Sequence, residues 1–167
     1  MRVTIDVRRV AVADIFPLRH AVLRPGRPES ASVYPEDGYA VHVAAYHCGD
    51  GAEVLAGCAT VFPEAWPGAS VGPGWVRAPQ PAAWRLRGMA VDPARHGCGV
   101  GRLVLAAVVD AAAGAGAPLL WANGRTTALG FYERLGWSVV GEEFIAADSG
   151  LPHKPIALPV DCDAKCL

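Results

Sequence analysis

The sequence predicts a mixed α/β (α+β) fold, with strands and helices in the order β-α-β-β-β-α-β-α-β-β. Two observations carry this reading. Strand-like runs follow one another in the first half of the chain, and strand-like and helix-like runs alternate after residue 84. Consecutive strands followed by alternation imply a mixed sheet with helices on both faces, not a doubly wound fold. A third observation bounds it: 167 residues, 52% hydrophobic, suffice for one domain with a real core, 1–167, and exclude disorder as the main state.

The elements follow in order. Residues 2–10 alternate Val3, Ile5 and Val7 with Thr4, Asp6 and Arg8, which is the period of a half-buried strand. Ile15, Leu18, Val22 and Leu23 recur at helical spacing over 14–24, with Asp14 as cap or first-turn acid and Pro17 tolerated in the first turn. Residues 25–38 are rich in turn formers and read as loop with room for a short helix. Runs 40–47 and 53–62 read as two strands joined by a hairpin at CGDGA. Residues 63–83 form an irregular, Pro- and Gly-rich excursion. The strand 84–91 ends at Asp92-Pro93. A helix over about 101–113 is apolar nearly all round and predicts burial on more than one face. A short strand at 118–122, a helix at about 127–135 stopped by Gly136, a strand at 137–146 and a last strand from Lys154 with two prolines complete the chain.

Composition removes several function classes. Lys and Arg number 15 against 16 acidic residues, so nothing global favours nucleic acid or an anionic membrane. No apolar run is long enough to span a bilayer, and the first sixteen residues lack the apolar block of a signal peptide, which predicts a cytoplasmic protein. An odd cysteine count argues against a disulfide framework, and Cys162 with Cys166 falls short of a metal ligand set, so no metal is expected. The sequence leaves a homodimer open.

The segment His96-Gly97-Cys98-Gly99-Val100-Gly101-Arg102 follows a strand and opens a helix. Glycines at every second position permit φ > 0 and clear the space above the backbone, so N–H groups can converge at a helix N-terminus and hold an anion. The dinucleotide pattern G-x-G-x-x-G fails, because Arg102 or Val104 stands at its sixth position, and no Gly-Lys-Ser/Thr is present. By itself such a loop is equally a structural turn.

The order of elements, this loop and the later segment Ala128-Leu129-Gly130-Phe131-Tyr132-Glu133-Arg134-Leu135-Gly136-Trp137 together resemble the GNAT superfamily of acyl-CoA-dependent N-acetyltransferases. In that family a loop R/Q-x-x-G-x-G/A binds the diphosphate of coenzyme A. Gly99 and Gly101 match its glycines, His96 stands at the R/Q position with Arg95 one place early, and Arg102 follows the loop within reach of a phosphate. Trp137 replaces the commoner Phe, and Arg125 stands where an Asn contact to the cofactor is common. The likeness is good over about 84–146 and rests on element order alone before that.

The resemblance implies acetyl-CoA as co-substrate, a small-molecule or peptide amine as acceptor, and a central parallel strand pair, 84–91 with 118–122, that splays apart. Backbone N–H groups along Met89, Ala90 and Val91 would stabilise the thioester oxygen as it gains charge. Tyr132 would donate a proton or hydrogen bond to the leaving thiolate, although a phenol near pKa 10 is a weaker acid than a thiol near about 8.5. The alternative for Tyr132 is an ordinary helix aromatic packed beside Phe131. The base is open among Glu142, Glu143, His20, His42 and His153, with Arg85 and Arg87 on the strand where an acid is common, and a water chain needing no dedicated base is the alternative. His153 stands out because LPHK is expected to join the last two strands near the acceptor's entry. Arg19, with Arg24 and Arg27, is expected to line the acceptor side and hold a carboxylate; the alternative, favoured for Arg24, is that these cations complement the C-terminal end of the helix dipole. Transfer of a longer acyl group, a non-catalytic acetyl-CoA sensor and a structural protein are the competing readings.

Overall fold

A computed structural model describes residues 4–49, 51–68 and 80–160. Strand β1 (Thr4–Val10) leads to helix α1 (Val12–Leu23), two 3-10 turns at Glu29–Ser32 and Pro35–Gly38, and strands β2 (Val41–Gly49), β3 (Ala52–Pro63) and β4 (Trp84–Val91). Helix α2 (Val100–Gly114), β5 (Leu119–Arg125), α3 (Leu129–Arg134), β6 (Ser138–Val139), β7 (Phe144–Ile145) and β8 (Pro152–Pro159) follow. The strands lie in the order β1-β2-β3-β4-β5-β8-β6, and β7 pairs with β8. β1–β2, β2–β3 and β5–β8 are antiparallel. β4 and β5 are parallel, as expected, and their ladder joins Trp84 to Leu120 and Arg85 to Trp121, at the N-terminal ends of both strands.

The chain forms two compact units that interleave in sequence, Met1–Phe62 with Arg87–Ala111, and Pro63–Leu86 with Ala112–Leu167. In the first, Ile15 of α1, Ala44 of β2, Cys58 of β3 and Ala90 of β4 form a buried cluster, with Val10, Leu18, Val22 and Leu23 packed against it. The apolar stripe foreseen for α1 is therefore its inward face. In the second, Trp66, Ala83, Leu119, Trp121, Val140 and Ala157 form the core. There the Trp121 indole N–H donates to the carbonyl of Glu64 at 2.9 Å.

Four expectations about the elements need correction. α1 starts at Val12, so Pro17 lies inside the helix, past the first turn. The bond that Pro17 cannot make is with Ala13, and both residues are exposed, so water can replace it. Asp14 still serves the helix start, where its carboxylate accepts from the Ala11 N–H at 3.1 Å. α2 is buried along one stripe, Val100, Val104, Leu105, Val108, Ala111 and Ala112, while Arg102, Ala106 and Asp110 are exposed. Alanines on its outer side favour the helix without needing burial. The strand foreseen at 137–146 is two short ones. Both pair with β8, and between them the Val140 N–H donates to the carbonyl of Pro155 at 2.9 Å. Pro155 has no N–H to return, so the ladder breaks opposite it. The last strand starts at Pro152, which places His153 inside β8 and not in a connecting loop.

Candidate functional site

The glycine loop is the first part of the site. A 3-10 turn at Pro93–Arg95 closes β4, capped by the Asp92 carboxylate, which accepts from the Ala94 N–H at 3.0 Å. Arg95 is ion-paired with Asp92, so its charge is committed beside the loop. Gly97 and Gly99 have φ of 79° and 81°, in the left-handed region that the alternating glycines foreshadowed. An added Cβ at either would meet no atom within 4 Å, so the space above the loop is open. Gly101 lies in the first turn of α2 and serves the helix start, not the turn. His96, Gly97, Cys98, Gly99 and Arg102 are exposed, and Val100 is buried and anchors the helix. The first-turn N–H groups of a 15-residue helix have no carbonyl within the helix to bond, and the helix dipole adds positive potential there. This fits the diphosphate of coenzyme A.

The second part is β4. Gly88 has φ of 64° inside the strand, so β4 kinks there, and Ala90 beyond the kink is buried while Met89 and Val91 are half-buried. Reading 84–91 as a plain strand overlooks this. An isolated glycine in a strand pattern is the available signal.

The second unit holds a separate group of candidate residues. Tyr132 of α3 is buried, with edge-to-face contacts to Phe131 (centroids 5.2 Å) and Trp137 (5.5 Å). Burial pushes its phenol up to about 12, and the nearby Arg125 charge pulls the other way. Arg125, at the end of β5, stands opposite His153 of β8 in the ladder. Tyr132, Arg125 and His153 are thus brought together. His153 is buried, stacks on Phe144, and its Nδ1 lies 2.8 Å from the carbonyl of Leu151. A carbonyl only accepts, so Nδ1 carries a proton, and in the neutral ring Nε2 is the nitrogen with the lone pair.

Arg19 is placed differently from expectation. It is fully buried and donates to the Asp37 carboxylate (2.9 Å), the Ser32 carbonyl (3.1 Å) and the Thr60 hydroxyl (2.5 Å). A guanidinium on the inward face of α1, already neutralised, does not reach an acceptor's carboxylate. Arg24 is also buried and donates to the carbonyl of Leu23 at 2.8 Å, so it caps the C-terminal end of α1. Arg27 is exposed.

Among the other base candidates, His42 is buried with Nδ1 3.0 Å from the Thr60 hydroxyl and Nε2 3.0 Å from the Asp37 carbonyl. His20 Nδ1 lies 2.8 Å from the Ser32 hydroxyl, and Glu142 and Glu143 are exposed. Among the described residues no cluster of His, Cys, Asp and Glu is arranged to hold a metal ion, and Cys162 and Cys166 lie outside them. No described helix is long and apolar enough to cross a membrane.

A mixed sheet with a parallel β4–β5 pair, and a left-handed glycine loop feeding a helix N-terminus, define an α/β protein whose helix start is open to an anionic group. An acetyltransferase (GNAT) domain model matches residues 37–139. The chain belongs to the GNAT family and is an acyl-CoA N-acetyltransferase. It is 27% identical over 142 residues to the uncharacterized N-acetyltransferase YitI of Bacillus subtilis (strain 168), covering 84% of this chain and 87% of that protein. Its fold matches the IAA acetyltransferase of Bacillus cereus with a TM-score of 0.67 at 16% identity, over 93% of this chain and 99% of that one. It also matches yncA of Salmonella typhimurium, solved with its cofactor acetyl-CoA, with a TM-score of 0.61 at 17% identity over 95% of each chain.

Proposed function

We propose that the protein transfers the acetyl group of acetyl-CoA to a primary amine of a small molecule or peptide, by direct attack of the amine on the thioester. The observation that carries this reading is the exposed loop at the head of α2, with Gly97 and Gly99 left-handed, in a chain of the acetyltransferase family. Residues His96, Gly97, Cys98, Gly99, Val100, Gly101 and Arg102 would hold the diphosphate through backbone N–H groups, with Arg102 adding a charge. Acetyl-CoA, when bound, supplies the activated acyl carbon and a thiolate leaving group.

The remaining roles belong to this chain's side chains and backbone. A backbone N–H in the stretch Met89, Ala90 and Val91 stabilises the acyl oxygen as it gains charge, an effect worth about 3–4 kcal/mol for a well-placed donor; the Ala90 N–H itself is turned to the Cys58 sulfur. Tyr132 stays protonated far above neutrality and offers its hydroxyl to the sulfur. Arg125 beside it draws negative charge to the same place. His153, through Nε2, accepts the proton that the amine must lose. The test is thiol release from acetyl-CoA over a panel of amines, with and without a carboxylate, with succinyl-CoA as a second donor. Amine-dependent release supports transfer. Binding of acetyl-CoA with no release for any amine assigns a binding module instead.

A further inference from the structure

Gly88 poses a question that β4 alone does not answer. Glycine tolerates left-handed and extended backbone about equally, so its own chemistry does not hold φ at 64°. Something packed on that residue must. An ideal Cβ at Gly88 would lie 2.9 Å from Tyr34 Cε2, 3.3 Å from the Tyr34 hydroxyl and 3.3 Å from Arg19 Nε. The buried Tyr34 ring therefore sits directly on the kink. From the strand behind, the Cys58 thiol faces the Gly88 carbonyl at 3.9 Å.

The ring is itself secured twice. The Arg19 guanidinium carbon stands 4.3 Å from its centroid and that of Arg87 stands 4.0 Å away. Each guanidinium is paired with one of two successive acids in the turn after Tyr34: Arg19 with Asp37 at 2.9 Å, and Arg87 with Glu36 at 3.3 Å. The Asp37 carboxylate also accepts from the Tyr34 N–H at 2.9 Å. One cation comes from α1, the other from β4 next to the kink. Cation–π attraction favours this stacking, and its strength grows when water is excluded.

We propose that Tyr34, clamped by Arg19–Asp37 and Arg87–Glu36, is a positioning residue that fixes the β4 kink and with it the direction of the N–H groups of Met89, Ala90 and Val91. This rests on the transfer reading above, in which the N–H groups on the side of β4 away from β3 face the acyl oxygen, while the Ala90 N–H is turned to the Cys58 sulfur. A donor turned away by a fraction of an ångström still permits cofactor binding and loses transition-state stabilisation.

The test uses the full chain with Tyr34→Leu, Tyr34→Phe and Glu36→Gln. Residual dipolar couplings of the backbone N–H groups report their direction without any ligand. The clamp predicts altered couplings at Met89, Ala90 and Val91 in Tyr34→Leu, smaller changes of the same sign in Glu36→Gln, and unchanged couplings along β2. Tyr34→Phe, which keeps the ring, restores the wild-type pattern. In kinetics, Tyr34→Leu lowers kcat about tenfold with the KM for acetyl-CoA held within twofold, and Tyr34→Phe stays within twofold of wild type. Should Tyr34→Leu not fold, Glu36→Gln decides by the same readouts. Unchanged couplings at 89–91 overturn the clamp, and altered couplings with full kcat overturn its part in catalysis. A wild-type chain that releases no thiol with any amine overturns the transfer reading instead, while the couplings still judge the clamp.

Discussion

Tyr132 and Arg19 are both buried side chains with a polar end, and at the scale of single residues their fates differ. For Tyr132, Tyr132→Phe keeps the ring and its contacts to Phe131 and Trp137 and removes the hydroxyl. We expect kcat to fall at least tenfold with acetyl-CoA affinity nearly intact, as measured by thiol release and calorimetric titration. The same pair of proteins tests the phenol's environment. Its pKa is raised from 10 to about 12 by burial, with Arg125 opposing. The fold therefore favours the protonated phenol, and this advantage over Tyr132→Phe is full below pH 10 and lost as pH rises from 10 to about 12. Denaturant unfolding at pH 7, 9.5 and 11 should show a constant gap between the two proteins at the first two values and a smaller one at the third. A gap that already closes by pH 9.5 contradicts the assignment. For Arg19, the sequence showed a cation on α1 but not which way it faced. Helical spacing places Arg19 next to Leu18, and only the half-buried Asp37 and the buried Thr60 and Ser32 draw it inward. Burial raises the Asp37 carboxyl, and the Arg19 hydrogen bond, the Tyr34 N–H and the charges of Arg19 and His42 outweigh it, so it sits below its ordinary 3.8. Arg19→Met should destabilise the fold by about 3–5 kcal/mol at neutral pH, because Asp37 is left charged without its partner. That penalty is present above pH 3.8 and shrinks as pH falls below it, when Asp37 takes up a proton. A penalty independent of pH would remove Asp37 from the account.

At the scale of elements, the parts written in local chemistry were legible. Alternation placed β1, strand-like runs placed β2 to β4, and Asp92-Pro93 marked where β4 stops. The glycine loop announced its left-handed residues because only glycine occupies φ near 80° without strain. What escaped was set by distant partners. Nothing in residues 137–146 reveals that Pro155 will stand opposite them and break the strand. Likewise, Gly88 reads as a strand residue until Tyr34, more than fifty positions earlier, is seen on it. The roles proposed for Tyr132 and His153 rest on resemblance, since a buried helix aromatic and a buried histidine carry no signal of their own. The loop supplies the element-scale prediction. A side chain at Gly99 meets no atom within 4 Å, so the cost of Gly99→Val is backbone strain at φ 81°, not a clash. The chain should remain folded by circular dichroism, with the loop turned out of its left-handed form. Stabilisation by acetyl-CoA in a thermal-shift titration should then disappear, and its persistence would contradict the loop's role.

At the scale of the whole molecule, the two units are defined by contacts but not by chain continuity. β4 contributes Trp84–Leu86 to one unit and Arg87–Val91 to the other, and α2 likewise crosses from Ala111 to Ala112. A strand and a helix thus each run through both units without interruption. Melting one unit alone would cut a helix and a strand in mid-element, forfeiting propagation on both sides of each break. We therefore expect one cooperative transition, with calorimetric and van't Hoff enthalpies equal. Acetyl-CoA at about a hundred times its Kd adds roughly 2.7 kcal/mol to the folded state. For a chain of this length that moves the midpoint upward by about 5–10 °C. If the units were independent, the scan in the presence of acetyl-CoA would split into two peaks, with the larger shift on the unit that holds the glycine loop. A single peak that moves as a whole is the outcome expected of elements shared by both units, and a split peak would show that each unit folds on its own.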